Sequence, residues 1–206
     1  MSDLWDVVAA ERGALADQLA GLTEAQWATP SLCAGWTVRQ VLAHMASTPQ
    51  FTPIGFVGGM VRSGFRFNRL AESAIEQNLG DSPAETLATF RSVQHSRKAP
   101  PGPKVTWLGE TIIHAEDIRR PLGIAHDYPI ASVIEVADFY KGSNMMIGAK
   151  NRIAGVTLRA TDADWTHGEG PVAEGPILSL LMTMTGRSVA IEDLSGDGVA
   201  TLRTRD

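Results

Sequence analysis

Cysteine is nearly absent from this 206-residue chain, with Cys33 its single example. One thiol forms no internal disulfide and no thiolate metal cluster by itself, which fits a reducing compartment. Basic blocks are missing too: 18 Lys+Arg face 23 Asp+Glu, and no run of cations is long enough to track a phosphate backbone. Aromatics make up only 6% and are not interleaved with basic residues, so nucleic acid is excluded as the main partner. Nor does any stretch approach the ~18 uncharged apolar residues of a membrane-spanning helix. Asp3, Asp6 and Glu11 fall where the apolar core of a secretion signal would lie. The expectation is a cytoplasmic protein with no membrane partner. What is present, 44% hydrophobic and 20% charged residues, suits a globular chain with a proper core. The length fits one large domain, or an ordinary one with a small companion.

The first three quarters reads as helical. Leu4, Val7, Val8, Leu15 and Leu19 recur at helical spacing, interrupted by Glu11, and Gly21 closes the run. Thr23 with Gln26, and Thr37 with Gln40, are capping-box pairs; the second opens a helix carrying Val38, Val41, Leu42 and Met45. Gly55, Gly58, Gly59 and Gly64 weaken any helix between residues 50 and 64, while Phe65 to Gln77 is helical again. Ser82, Pro83 and Glu85 start a helix expected to reach about Lys98. Another is expected from Trp107 to Arg120, stopping at Pro121, and a long one from Ile130 to about Ala149. Near Arg152 the character changes. Val156 to Ala160 alternates like a strand, Gly175-Pro176 opens a short helix to Met184, and Val199 to Leu202 is expected as a last strand. The division predicted is a helical domain over 1–150 and a small α/β domain over 151–206.

Glu110 and His114 stand four residues apart in a predicted helix, which stacks them on one face with Cβ atoms roughly 5–6 Å apart. A carboxylate and an imidazole at that spacing can share one divalent ion, and His44 from another helix supplies a third ligand. Nitrogen and oxygen ligands suit zinc, but also Mn, Fe, Co or Ni. The same pattern has a plainer reading. Leu108, Thr111, Ile112, Ala115 and Ile118 form the apolar stripe, which leaves Glu110, His114 and Asp117 on the side normally given to solvent. Asp117 either orients His114 or pairs with nearby Arg119 or Arg120. Cys33 reads as a small hydrophobe in a loop, and Trp36 as an anchoring aromatic.

The strings around these residues carry a resemblance. Leu32-Cys-Ala-Gly-Trp-Thr-Val-Arg-Gln-Val-Leu-Ala-His44-Met45 resembles the first ligand segment of the mycothiol-dependent maleylpyruvate isomerase family. That family sits in the wider DinB/YfiT-like group of metalloenzymes. Gly109-Glu-Thr-Ile-Ile-His-Ala-Glu-Asp-Ile-Arg-Arg-Pro-Leu-Gly123 resembles its second, where a glutamate and a histidine lie four apart. The tail strings Leu158 to Trp165, Gly168 to Pro171, Leu181 to Arg187 and Leu194 to Gly198 are similar to the family's small C-terminal domain. The match is faint between about Gln50 and Thr106.

The resemblance implies a mainly α fold, a DinB-like four-helix bundle with a small C-terminal α/β domain. It implies a divalent metal, zinc in the best-known cases, on His44, Glu110 and His114, with Asp117 behind them. It also implies mycothiol as a thiol cofactor and a small electrophile as substrate, isomerised or conjugated. Arg187, in the Thr-Gly-Arg string, matches a functional arginine and would pair with a substrate carboxylate; a salt bridge inside the fold is the other reading. A metal-assisted hydrolase and a non-enzymatic metal-binding or interaction protein are the competing functions. Bundles of this kind also associate through helix faces, which makes a homodimer an expectation.

Overall fold

The computed structural model describes residues 3–64, 66–145 and 147–205. The chain divides into two compact units, Met1–Asp127 and Tyr128–Asp206. The first holds helices α1 (Leu4–Leu19), α2 (Glu24–Trp27), α3 (Val38–Ser47), α4 (Pro53–Arg62), α5 (Phe67–Leu79), α6 (Pro83–Ser92) and α7 (Lys104–Leu122). Helix α1 packs on α6 and α7, and α3 packs on the same two, so these four close a bundle; α5 lies against α3 and α6. Leu15, Leu19, Val41, Leu42, Met45, Phe90, Ala115 and Ile118 fill the interior. Each large apolar side chain buried there contributes about 1.5–3 kcal/mol. The fold is mainly α, and no helix among the described residues is long and apolar enough to cross a membrane.

The caps form as their residues dictate. Asp3 accepts from Trp5 N–H at the head of α1, and complete capping boxes join Thr23 to Gln26 and Thr37 to Gln40. Five expected segments differ. The glycine-rich stretch is helical after all: a Cβ at Gly59 would lie 2.7 Å from Leu70 Cδ1, so this glycine lets α4 approach α5. Phe65, where a helix was expected to begin, lies outside the described residues. Helix α6 ends at Ser92 rather than near Lys98, and the freed carbonyls of Val93 and Ser96 accept from Arg12 Nη1 at 3.5 and 3.2 Å.

Helix α7 runs one residue past Pro121 and ends on Gly123 in the left-handed region. A proline there has no N–H for the Asp117 carbonyl four residues back. Leu32 N–H, from the loop before α3, donates to that carbonyl at 3.1 Å instead.

The second unit holds α8 (Ile130–Tyr140), α9 (Ala149–Arg152), β1 (Thr157–Ala160), β2 (Thr166–His167), β3 (Val172–Gly175), α10 (Ile177–Met184) and α11 (Gly198–Arg203). The sheet order is β2-β1-β3, with β1 antiparallel to β2 and parallel to β3. Helix α10 packs on α8 and the sheet. Helix α8 stops at Tyr140, where Gly142, Ser143 and Asn144 favour a turn; Met146, inside the longer helix expected, lies outside the described residues. The expected last strand is helix α11. Val199 and Leu202 are both buried, and a spacing of three brings them to one face in a helix but to opposite faces in a strand.

Candidate metal centre

Helix α3 carries His44, α7 carries Glu110 and His114, and the two helices pack together. The rings of His44 and His114 meet edge to face with centroids 5.0 Å apart. Glu110 keeps some exposure along its stem, but both its carboxylate oxygens are buried without a hydrogen-bond partner among the described residues. His44 Nδ1 is in the same position. The hydroxyls of Thr48 and Thr111 lie beside the Glu110 carboxyl. Each has one proton, however, and that of Thr111 goes to the Trp107 carbonyl at 2.9 Å while that of Thr48 is directed to the His44 carbonyl at 3.5 Å. Buried polar atoms without partners cost about 1–3 kcal/mol each, more when charged. A cation within reach of these atoms would remove that cost, and a carboxylate and an imidazole are donor types that suit one.

The side of His114 away from this cluster is already occupied. His114 Nδ1 lies 2.9 Å from Asp117 Oδ2, Cys33 donates its thiol proton to the same oxygen at 3.0 Å, and Cys33 Sγ is 3.5 Å from Nδ1. Cys33, His114 and Asp117 bring one ligand atom each within 4.8 Å of one another, the one grouping of three such residues this close among the described residues; His44 and Glu110 fall outside it. In that trio the atoms satisfy each other, whereas those of His44 and Glu110 do not. With Nδ1 committed to Asp117, His114 has only Nε2 to offer an ion. The face is not solvated: Asp117 is fully buried and the His114 side chain is 18% exposed.

The electrostatics follow from burial. It raises the Glu110 carboxyl, against the pull of His114 and the buried Arg12 guanidinium. It also lowers His44 to about 3, helped by the charge of His114. For His114, burial alone would lower the value; the hydrogen bond and charge of Asp117 outweigh it and raise it to about 10.

Three contributors escaped the sequence reading. Arg12 is buried next to Glu110, and its signal was a charge within the stripe formed by Val8, Leu15 and Leu19. Trp36 packs on His44, ring centroids 5.2 Å apart, and Cys33 holds Asp117; both lie in the Leu32–Trp36 string, where only proximity in space reveals their role. Arg187 belongs to the second unit, half-buried, and donates from Nη1 to the Thr185 carbonyl at 2.8 Å.

Comparison with known proteins places the fold. The family model for the mycothiol maleylpyruvate isomerase N-terminal domain matches residues 8–111, which include His44 and Glu110 and stop short of His114. The crystal structure of the mycothiol-dependent maleylpyruvate isomerase superposes with a TM-score of 0.60 at 15% identity, covering 94% of this chain and 91% of that one. A histidine-to-alanine mutant of that isomerase gives 0.64 at 13% identity with the same coverage. At such identities the likeness establishes the fold. Among curated proteins, the phenylalanine–tRNA ligase beta subunit of Anaeromyxobacter dehalogenans (strain 2CP-C) is 27% identical over 189 residues, 90% of this chain. The chain spans only 22% of that subunit's length. With a family model matched over half its length and a fold shared almost end to end, the chain belongs to the mycothiol-dependent maleylpyruvate isomerase family.

Proposed function

We propose that His44, Glu110 and His114 hold one divalent ion, zinc being the first to test, and that the protein uses mycothiol to isomerise or S-conjugate a small electrophile. The observation carrying the metal reading is the buried, unpartnered set of His44 Nδ1 and both Glu110 oxygens beside His114. The thiol reading rests on membership of the family. A bound ion would lower the pKa of a thiol and so favour its nucleophilic thiolate.

The chain's own residues prepare the place. His44, with its value lowered to about 3, is neutral near pH 7 and keeps a lone pair available. Asp117 holds the Nδ1 side of His114 and fixes its ring. Glu110 brings a negative charge where water does not reach. Addition of a thiolate to an unsaturated carbon, rotation about the resulting single bond and departure of the same thiolate account for cis–trans isomerisation. Addition without departure gives a conjugate. No cysteine of the protein is consumed in either course.

The test is calorimetric titration of mycothiol into the metal-free and the zinc-loaded protein. Binding to the zinc form only, abolished by His44→Ala, is the expected result. Absence of binding to a loaded protein would reject the thiol reading, and thiol-independent turnover of an ester or amide would point to a hydrolase.

Arg187 is assigned to the substrate carboxylate on the match of its string. Arg187→Met should raise KM for an anionic substrate about 10–100-fold, the worth of one or two charged hydrogen bonds. Far-ultraviolet circular dichroism should stay unchanged. Steady-state kinetics with unaltered KM would make this residue structural.

A further inference from the structure

The loop from Ser31 to Trp36 touches both histidines of the centre. Trp36 packs on His44, while Cys33 shares Asp117 Oδ2 with His114. The loop is fixed by its own bonds: Ser31 Oγ donates to the Trp36 carbonyl at 2.8 Å and accepts from Cys33 N–H at 3.1 Å, and Gly35 turns the chain at φ +82°. Its anchor on α7 is a consequence of Pro121, which leaves the Asp117 carbonyl to Leu32 N–H at 3.1 Å. Asp117 is therefore gripped by this loop twice, once through its backbone and once through its carboxylate. It is fully buried, so water cannot replace either donor.

We infer that Cys33 is a positioning residue: its thiol donates to the Asp117 carboxylate, and the carboxylate so fixed orients His114 toward the ion. This rests on the metal reading proposed above. A carboxylate out of reach of water keeps a defined orientation when each oxygen has donors. With the thiol proton gone, Oδ2 loses one of its donors, and the backing of the ring is loosened. Changes to such partners behind a metal ligand typically weaken binding about 10–100-fold. Cysteine suits the place because it is small and apolar enough for a half-buried loop yet still carries a proton to donate.

Cys33→Ser and Cys33→Val separate this role from packing. Serine keeps a donor and loses apolar bulk, whereas valine keeps the bulk and loses the donor. Zinc affinity by chelator competition should stay within about threefold of the unaltered chain for Ser and fall about 10–100-fold for Val. In the cobalt(II)-loaded proteins the visible ligand-field bands should shift for Val only. No thiolate-to-cobalt charge-transfer band should appear in the unaltered chain, because Cys33 stands behind the ligand and not on the ion. Thermal melts of the metal-free variants check that both fold. Equal affinity for Val and the unaltered chain, or loss for Ser alone, overturns the inference while leaving the metal reading standing. A charge-transfer band lost in both variants overturns it as well, by making Cys33 a ligand. Failure of the unaltered chain to bind either ion rejects both readings.

Discussion

Replacing Glu110 with glutamine should make the metal-free protein more stable and the metal-bound state inaccessible. In the fold, burial raises this carboxyl above its ordinary value, and neither oxygen has a hydrogen-bond partner among the described residues. A neutral amide of the same shape leaves its own polar atoms unpartnered but escapes the added cost of a buried charge, a difference on the order of 1–3 kcal/mol. In a domain of this size each kcal/mol moves Tm by about 2–4 °C. The gain falls at the low end of that range, because Arg12 loses an attractive neighbour, though it keeps the Val93 and Ser96 carbonyls. Zinc at a hundred times its Kd should stabilise the unaltered protein by about 2.7 kcal/mol. That corresponds to about 5–11 °C, and E110Q should show none of it. Scanning calorimetry with and without zinc measures both effects. If E110Q melts lower than the unaltered chain without metal, Glu110 is the structural partner of Arg12 and not a ligand kept ready for a cation. The two outcomes have opposite signs, so one pair of melts decides between them.

The bundle was readable where local chemistry decides the structure. The capping boxes at Thr23 and Thr37 form as their spacing requires, because the bonds lie within one turn. Reading failed where a distant partner decides. Glycines in α4 look like breakers until Leu70 is seen against Gly59. Pro121 looks like a stop until the Leu32 N–H is found on the carbonyl it leaves open. The stretch Val199 to Leu202 is too short for alternation to separate strand from helix, and the burial of Val199 and Leu202 settles it as helix. For the site, periodicity put Glu110, His114 and Asp117 on one face but could not say what covers it. Without α3 and the loop from Ser31 to Trp36, that face looks like solvent-exposed helix. The pattern offered His44 as a third ligand, and the resemblance of whole strings is what favoured that reading over a semi-buried histidine.

Zinc affinity should rise about tenfold per pH unit between about pH 7 and 9. The reason is His114. In the metal-free chain its value is raised to about 10, in spite of burial, chiefly by the hydrogen bond and charge of Asp117. A doubly protonated ring has no lone pair to give, so an ion must displace one proton from it. His44, lowered to about 3, has none to lose. The stability of the metal-free protein should run the other way. A histidine raised by folding contributes stability that is complete below its ordinary value near 6.5 and lost as pH rises toward 10. The lowered His44 contributes stability that is present above 6.5 and lost as pH falls toward 3. The gap in Tm between loaded and metal-free protein should therefore widen from pH 7 to 9. Chelator competition across that range gives the slope, and calorimetry in buffers of different ionisation enthalpy counts the proton released. Asp117→Asn should flatten the slope, because it removes the anion that keeps His114 charged. A slope near zero in the unaltered chain would mean that the ion does not compete for the His114 proton, and His114 would have to be struck from the ligand set.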